Sequence, residues 1–391
     1  MNIALVVESF PTISETFITN KVLELCKRGH QITVIRNSNG HDEQLVQLYG
    51  LNNISNLHIR NAVVPKSATA LIKTITTHPL LVLQALFQKG AFKTNLRHQL
   101  YLTVFKADFD IVHFEFSGLG VVYQPIMQYI KAAKVVSCRG TAEKVKPFTE
   151  PGRKEQLQQL FTSVDAIHCV SQDMVNTIKS YCKADANIFV NRPSIDINYF
   201  KRQIVKPASA TFHILSIGRF TFQKGYLIGL LAAKKMKDAG IDFEWQIVGD
   251  GPLREEVIFH IHTLGLEKEV KLLGKKNRNE VFELYKQTDV FLLSSVYEGI
   301  ANVVLEAMSM EIPVVSTKSG GLEEVIVSGV DGFLAEVYDH EQLAAQLIQL
   351  QADTKLRAEM GKKARQKIEA SFTITRQATE FEQQYQRILQ R

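Results

Sequence analysis

The stretch "DVFLLSSVYEGIANVVLEAMSMEIPVVST" (residues 289–317) alternates between two kinds of local pattern. "DVFLLSS" and "IPVVST" are short apolar runs of the kind found in strands buried on both faces of a parallel sheet. Between them "ANVVLEAM" turns helical, with a start near Ala301 or Asn302. Strand, helix and strand in this order form a βαβ unit, which requires a parallel sheet. The same stretch sets two carboxylates eight positions apart. Glu298 lies in the loop after the first strand, beside Gly299, which permits a tight turn. Glu306 lies about one turn into the helix. Either both are solvated surface glutamates, or they hold one polyhydroxylated ligand from two sides of a helix start.

The alternation extends in both directions. "NIALVVE", "QITVIRN", "DIVHFEF", "KVVSCRG", "AIHCVS" and "NIFVN" read as strands of the first half, and "FHILSIGR", "FEWQIVGD", "VKLLG", "DVFLLSS", "IPVVST" and "GFLAEV" as strands of the second. Helical patterns such as "GYLIGLLAAKKMKDAG" separate them. In "TISETFITNKVLELCKRGH", Thr12 and Glu15 match a capping box and Gly29 marks the stop. A chain of 391 residues exceeds one compact core. The expected fold is therefore α/β, with two doubly wound Rossmann-like domains facing across a cleft. The aperiodic segment 191–211, with two prolines, is the expected linker. The domains are placed at 1–198 and 199–372, and 373–391 forms an amphipathic terminal helix.

Composition narrows the class. The apolar start breaks at Glu8 and reads as a first strand, not a signal peptide. Cys26, Cys138, Cys169 and Cys182 lack metal-ligand spacing and suit reduced thiols in a cytoplasmic protein. The net charge of +6 is uneven: residues 1–200 hold 21 Lys/Arg against 15 Asp/Glu, and the remainder holds 25 of each. Residues 66–106 carry Lys66, Lys73, Lys89, Lys93, Arg97 and Lys106 with no acid, alongside Leu80, Leu81, Leu83, Leu86, Phe87 and Phe92. That combination suggests contact with an anionic membrane surface; a solvated basic face over a core-facing stripe is the alternative.

Several chemistries are disfavoured. No Walker-type phosphate loop occurs, and "GDGPLR" (249–254) has Arg254 where a dinucleotide fingerprint needs its third glycine. Asp108 and Asp110 precede a strand and read as structural. "GRFTFQKG" (218–225) is more informative. Gly218 and Arg219 end a strand, and Lys224 with Gly225 opens a helix. An Arg fork, a Lys point charge and helix N–H groups together suit a diphosphate. "KSGGLEEVI" adds Gly320 and Gly321 at another strand-to-helix turn.

In this order and within one domain, these elements resemble the nucleotide-sugar domain of the family 4 retaining glycosyltransferases, which have the GT-B architecture. "SSVYEGIANVVLEAMSMEIPVVSTKSGGLEEVI" carries most of the resemblance, and "FPTISETFI" resembles bacterial exopolysaccharide transferases. The resemblance implies that Glu298 meets the donor sugar and Glu306 the ribose hydroxyls. Arg219 and Lys224 would neutralise the diphosphate, and Gly274 and Lys275 would receive the base. Gly218, Gly249, Gly299, Ile300, Ala301 and Asn302 would complete the donor site. It also implies a terminal helix that crosses back to the first domain, no metal and no cofactor besides the nucleotide sugar.

The first domain departs from the pattern. Where the family has His-Gly after a strand, this chain has Arg139-Gly140. Arg139 is expected to bind phosphate or an acidic acceptor, since it cannot serve as a base near neutral pH. His113 matches the His of a His-Phe element in the polysaccharide subgroup, and is either an active-site residue or a satisfied core histidine. The expectation is a retaining, metal-independent hexosyltransferase acting on a lipid-linked saccharide or polysaccharide. It would be cytoplasmic and peripheral on the inner membrane face, without nucleic-acid partners. A nucleotide-sugar epimerase on the same fold and a non-catalytic glycosyltransferase-like partner are the alternatives.

Overall fold

The computed structural model describes residues 1–12, 15–38, 43–62, 80, 92–105, 107–202 and 211–391. The chain divides into two compact units. Unit 1 comprises Met1–Cys169, Val175–Asn191 and Ala378–Arg391; unit 2 comprises Val170–Met174 and Arg192–Gln377.

In unit 1 the described strands are β1 (Asn2–Val7), β2 (Gln31–Arg36), β3 (Leu57–Asn61), β4 (Ile111–Phe114), β5 (Ala133–Cys138), β6 (Ala166–Cys169) and β7 (Ile188–Val190). They form one parallel sheet in the order β3-β2-β1-β4-β5-β6-β7. Unit 2 holds β8 (Phe212–Ile217), β9 (Phe243–Val248), β10 (Val270–Gly274), β11 (Val290–Leu293), β12 (Val314–Thr317) and β13 (Phe333–Ala335). These are also all parallel, ordered β10-β9-β8-β11-β12-β13. The continuous apolar runs follow from helices covering both faces. In β11, Val290 and Leu292 join one core cluster while Phe291 and Leu293 join the other. Each such side chain contributes about 1.5–3 kcal/mol when fully buried.

Three local expectations change. The strand β3 was not anticipated: in "LHIRN" only Leu57 is buried, because this is an edge strand. Thr12 and Glu15 form no capping box. The helix Thr16–Lys27 begins after Glu15 with no side-chain cap, and the Thr12 hydroxyl is buried without a partner among the described residues. The anticipated linker is not loose where it is described. Ile195 and Phe200 are buried in unit 2, and Arg365 donates to the carbonyls of Ile197 and Phe200.

Asp110 accepts a hydrogen bond from the Asn2 N–H, a structural role. In the terminal helix Ile374–Leu389, Phe381, Tyr385 and Ile388 pack into the unit 1 core with Ile3, Leu5 and Ile18. Most of the basic stretch 66–106 lies outside the described residues, Lys66, Lys73, Lys89 and Lys106 included; Arg97 is exposed. Among the described residues no helix is long and apolar enough to cross a membrane.

Candidate functional site

The unit 2 sheet grows outward in both directions from β8 and β11, its neighbouring central strands. The loops that follow these two strands therefore leave toward opposite sides, and a crevice opens at their carboxyl ends. The 218–225 and 294–301 segments meet there. Backbone and side-chain bonds tie them: Val296 N–H donates to the Gln223 carbonyl at 2.8 Å, and the Ser294 hydroxyl to the Lys224 carbonyl at 3.3 Å. The ammonium of Lys224 lies 2.6 Å from Glu298 Oε1, which also accepts from Ser295 Oγ at 2.8 Å. Gln223 Nε2 donates to Glu298 Oε2 at 3.2 Å. Glu298 is thus a buried loop carboxylate with its geometry fixed from three sides, not a solvated one.

Close backbone approach explains two glycines. A Cβ on Gly249, whose φ is +146°, would stand 1.9 Å from the Gly218 carbonyl oxygen. One on Gly225, at φ +55°, would stand 2.3 Å from the Ser294 carbonyl oxygen. Gly218 leaves room for the Lys224 stem, since a Cβ there would be 3.0 Å from Lys224 Cε. Gly249 N–H in turn donates to the carbonyl of Gly274, so the ends of β8, β9 and β10 stack in a row. On this rim Arg219 and Lys275 are exposed, and among the described residues neither side chain has an ion-pair partner.

The helix Asn302–Ser309 starts from Ala301 with no side-chain cap, so its first N–H groups remain available to an anion. Ile300 and Ala301 are buried beneath it, and Gly299 accepts from Gly321 N–H at 2.8 Å. One turn in, Glu306 is half-buried. Its Oε2 accepts the phenol proton of Tyr285 at 2.9 Å. Burial pushes the Glu306 carboxyl up to about 7, against the Tyr285 hydrogen bond and the Arg278 charge, which both lower it. The crevice therefore combines two cations, two oriented carboxylates and free helix N–H groups. That set suits a ligand with a diphosphate flanked by hydroxyl-rich rings.

Two family models match in tandem. "Glycosyltransferase Family 4" covers residues 14–199, and "Glycosyl transferases group 1" covers 199–367. This chain belongs to glycosyltransferase family 4. It is 26% identical to the putative colanic acid biosynthesis glycosyltransferase WcaL of Escherichia coli K12, over 95% of this chain and 96% of that one. It is 30% identical to an Escherichia coli UDP-Gal:α-D-GlcNAc-diphosphoundecaprenol α-1,3-galactosyltransferase, over 49% of this chain and 50% of that one. The solved structure of Anabaena HepE with UDP and glucose matches with a TM-score of 0.74 and 18% identity, covering 98% of this chain and 99% of that one. The fold is GT-B, and the protein is a glycosyltransferase; nothing in these matches points to an epimerase.

Unit 1 of this glycosyltransferase has its own reversal point, between β1 and β4. Next to it lies a buried charged cluster that the sequence reading did not assemble. Glu115, directly after β4 and fully buried, pairs with Lys21 at 2.6 Å and with Arg139 at 2.5 Å. Arg139 Nε also donates to the Glu115 carbonyl, and its guanidinium stacks over Phe17 at 4.5 Å. Arg139 is thus mostly buried and held by Glu115, a partner that its sequence position did not reveal. His113 follows the second of its two expected readings. It is fully buried within β4, with Lys21 and Tyr385 on Nδ1 and Ser137 on Nε2, so it is a satisfied core histidine. Burial, then the Lys21 charge, holds it well below the usual imidazole range and therefore neutral.

Lys21 and Glu115 were missed although signals existed. Lys21 falls on the apolar stripe of its helix with Ile18, Val22 and Leu25, and a cation there demands a buried partner. Glu115 interrupts the largely apolar run "IVHFEF" between Phe114 and Phe116. Among the described residues no group of His, Cys, Asp and Glu could hold a metal ion.

Proposed function

We propose that unit 2 binds a nucleoside diphosphate sugar and that the enzyme transfers the sugar with retention, without a metal, to a saccharide that is polymeric or lipid-linked. The crevice between the β8 and β11 loops carries this reading. Lys224 has three N–H donors and gives one to Glu298, leaving two for the diphosphate. Arg219 adds a planar fork, and the helix from Asn302 adds backbone N–H groups. As the glycosidic bond breaks, negative charge grows on the leaving diphosphate. Preorganised donors stabilise it, each worth on the order of 3 kcal/mol in barrier. Two cations in this position take the role that a divalent ion plays in other phosphate sites. In this reading Glu298 meets the sugar hydroxyls and Glu306 the ribose diol, and Gly274 and Lys275 flank the base.

The acceptor class is supported by the relatives, one named for colanic acid biosynthesis and one for a diphosphoundecaprenol-linked acceptor. The test is a thermal-shift panel of UDP-, GDP- and ADP-sugars, repeated with EDTA. One donor should raise the melting temperature by mass action, with or without chelator. NMR of the product formed on polyprenyl-diphosphate-linked saccharides should show the donor's anomeric configuration. No stabilisation by any nucleotide sugar would reject the reading. Stabilisation or turnover lost in EDTA, or inverted product, would reject metal independence or retention.

A further inference from the structure

Glu306 is held by a residue outside the recognised pattern. Tyr285 sits in the helix Arg278–Gln287, 21 residues before Glu306, and is almost completely buried. Its ring is wedged between Phe200, at 6.0 Å edge-on, and Phe291, at 6.2 Å. A ring fixed in this way can direct its hydroxyl only along one line. That line ends on Glu306 Oε2 at 2.9 Å, with the Val303 carbonyl nearby at 3.2 Å. Oε1 of Glu306 has no partner among the described residues. One carboxylate oxygen is anchored from behind and the other is presented forward.

We infer that Tyr285 is a positioning residue for the nucleotide, fixing the Glu306 carboxylate so that its open edge receives the ribose 2′- and 3′-hydroxyls. This rests on the donor reading above. A carboxylate free to rotate about its last torsion offers a vicinal diol its paired acceptors only part of the time, because sp³–sp² torsions are broad. The anchoring phenol removes that freedom. It also favours the ionised form, which is the one that accepts from both hydroxyls. The charged or titratable groups acting on Glu306 are Tyr285 and Arg278. Both lower a carboxyl that burial otherwise raises, to a balance at about 7. Removing the phenol therefore moves the carboxyl further up.

The experiment compares a ribonucleoside diphosphate with its 2′-deoxy form by titration calorimetry between pH 6 and 8.5. The probes are UDP and dUDP, or GDP and dGDP if the thermal-shift panel selects guanosine. Taking the ratio of affinities cancels titration of the phosphates. The parent should prefer the ribonucleotide on the order of tenfold at pH 8, with the preference fading as the pH falls through about 7. Glu306→Gln should abolish the preference at every pH. Tyr285→Phe keeps the ring contacts and should lose most of the preference at pH 7 and regain part of it by pH 8.5. A merely structural role would not move that midpoint. If Tyr285→Phe keeps the parental ratio and midpoint while Glu306→Gln loses the preference, the positioning role is overturned and the donor reading stands. If the parent binds no ribonucleoside diphosphate, both fall.

Discussion

Glu115→Gln isolates the buried cluster of unit 1. The substitution preserves shape and removes one negative charge that faces two cations, Lys21 at 2.6 Å and Arg139 at 2.5 Å. Lys21 is 3% exposed and Arg139 16%, so the stranded ammonium carries most of the penalty. Removing one partner of a buried pair costs about 3–5 kcal/mol, against a domain stability of about 5–15 kcal/mol. With a urea slope of about 3 kcal/mol/M, the midpoint should fall by about 1–1.7 M. Lys21→Met alone should cost less, about 3 kcal/mol, because Glu115 keeps Arg139. The double variant, which leaves no stranded ammonium, should recover about 2–3 kcal/mol of the summed loss as a coupling energy. The readout is built in: the single tryptophan, Trp245, lies in the core of unit 2, and far-UV circular dichroism follows both units. The loss should appear in dichroism as an early step that precedes the Trp245 transition. A Glu115→Gln midpoint within about 0.2 M of the parent (under about 0.6 kcal/mol), or strict additivity in the double variant, would refute the account of the cluster as a mutually dependent charged unit.

The same cluster has a pH signature. Burial alone would raise the Glu115 carboxyl, but the Lys21 charge, and with it that of Arg139, holds it far below the usual carboxylate range. A depressed folded-state pKa contributes stability above the ordinary carboxyl value that is lost as the pH falls below it; unit 1 should weaken from about pH 4.5 downward, and a Glu115→Gln melting curve should be flatter across that window. Lys224→Ala should weaken UDP or GDP about 10- to 100-fold in calorimetry, the loss of one charge-assisted bond, while leaving the bare nucleoside within a factor of about two; equal losses for both would remove Lys224 from the diphosphate. Arg219→Ala should leave the ligand-free melting temperature unchanged, since this side chain is exposed, and should lower nucleotide affinity about tenfold. Gly249→Ala should destabilise unit 2 by more than about 2 kcal/mol, because its Cβ would stand 1.9 Å from the Gly218 carbonyl oxygen, and Trp245 fluorescence on heating would register it.

The fold was legible because strands covered by helices on both faces leave continuous apolar runs; β11 and β12 are examples. The strand β3 escaped because an edge strand with one buried residue writes almost nothing into the sequence. At the unit 2 crevice the order of loop residues was readable, since Gly249 and Gly225 are required by backbone approach and Glu298 by its place after a strand. Pairing was not readable. Lys224 meets Glu298 across 74 positions, and Arg139 meets Glu115 across 24, because neighbouring strands bring their ends together. A cation near a strand end looks the same in sequence whether or not a buried carboxylate holds it, and both Lys224 and Arg139 are held by one. Tyr285 was invisible for a similar reason: an aromatic on a helix stripe reads as packing, and its hydroxyl has direction only once its ring is confined.

The docking of Phe381, Tyr385 and Ile388 into unit 1 sets a timetable for the nascent chain. The sheet strands of unit 1 are all made by residue 190, yet the helix that covers Ile3 and Leu5 and bonds His113 arrives only after residue 377. Nearly all of unit 2 is synthesised in between. At about 5–20 residues per second, the early half waits roughly 10–40 s with that face of its core open and its buried histidine lacking the tyrosine hydroxyl. The unit translated second is thus the first to be complete, and the unit translated first is the last to be sealed. Ribosome-bound chains halted before residue 378 should expose an apolar surface to chaperones and proteases that chains including residues 378–391 conceal.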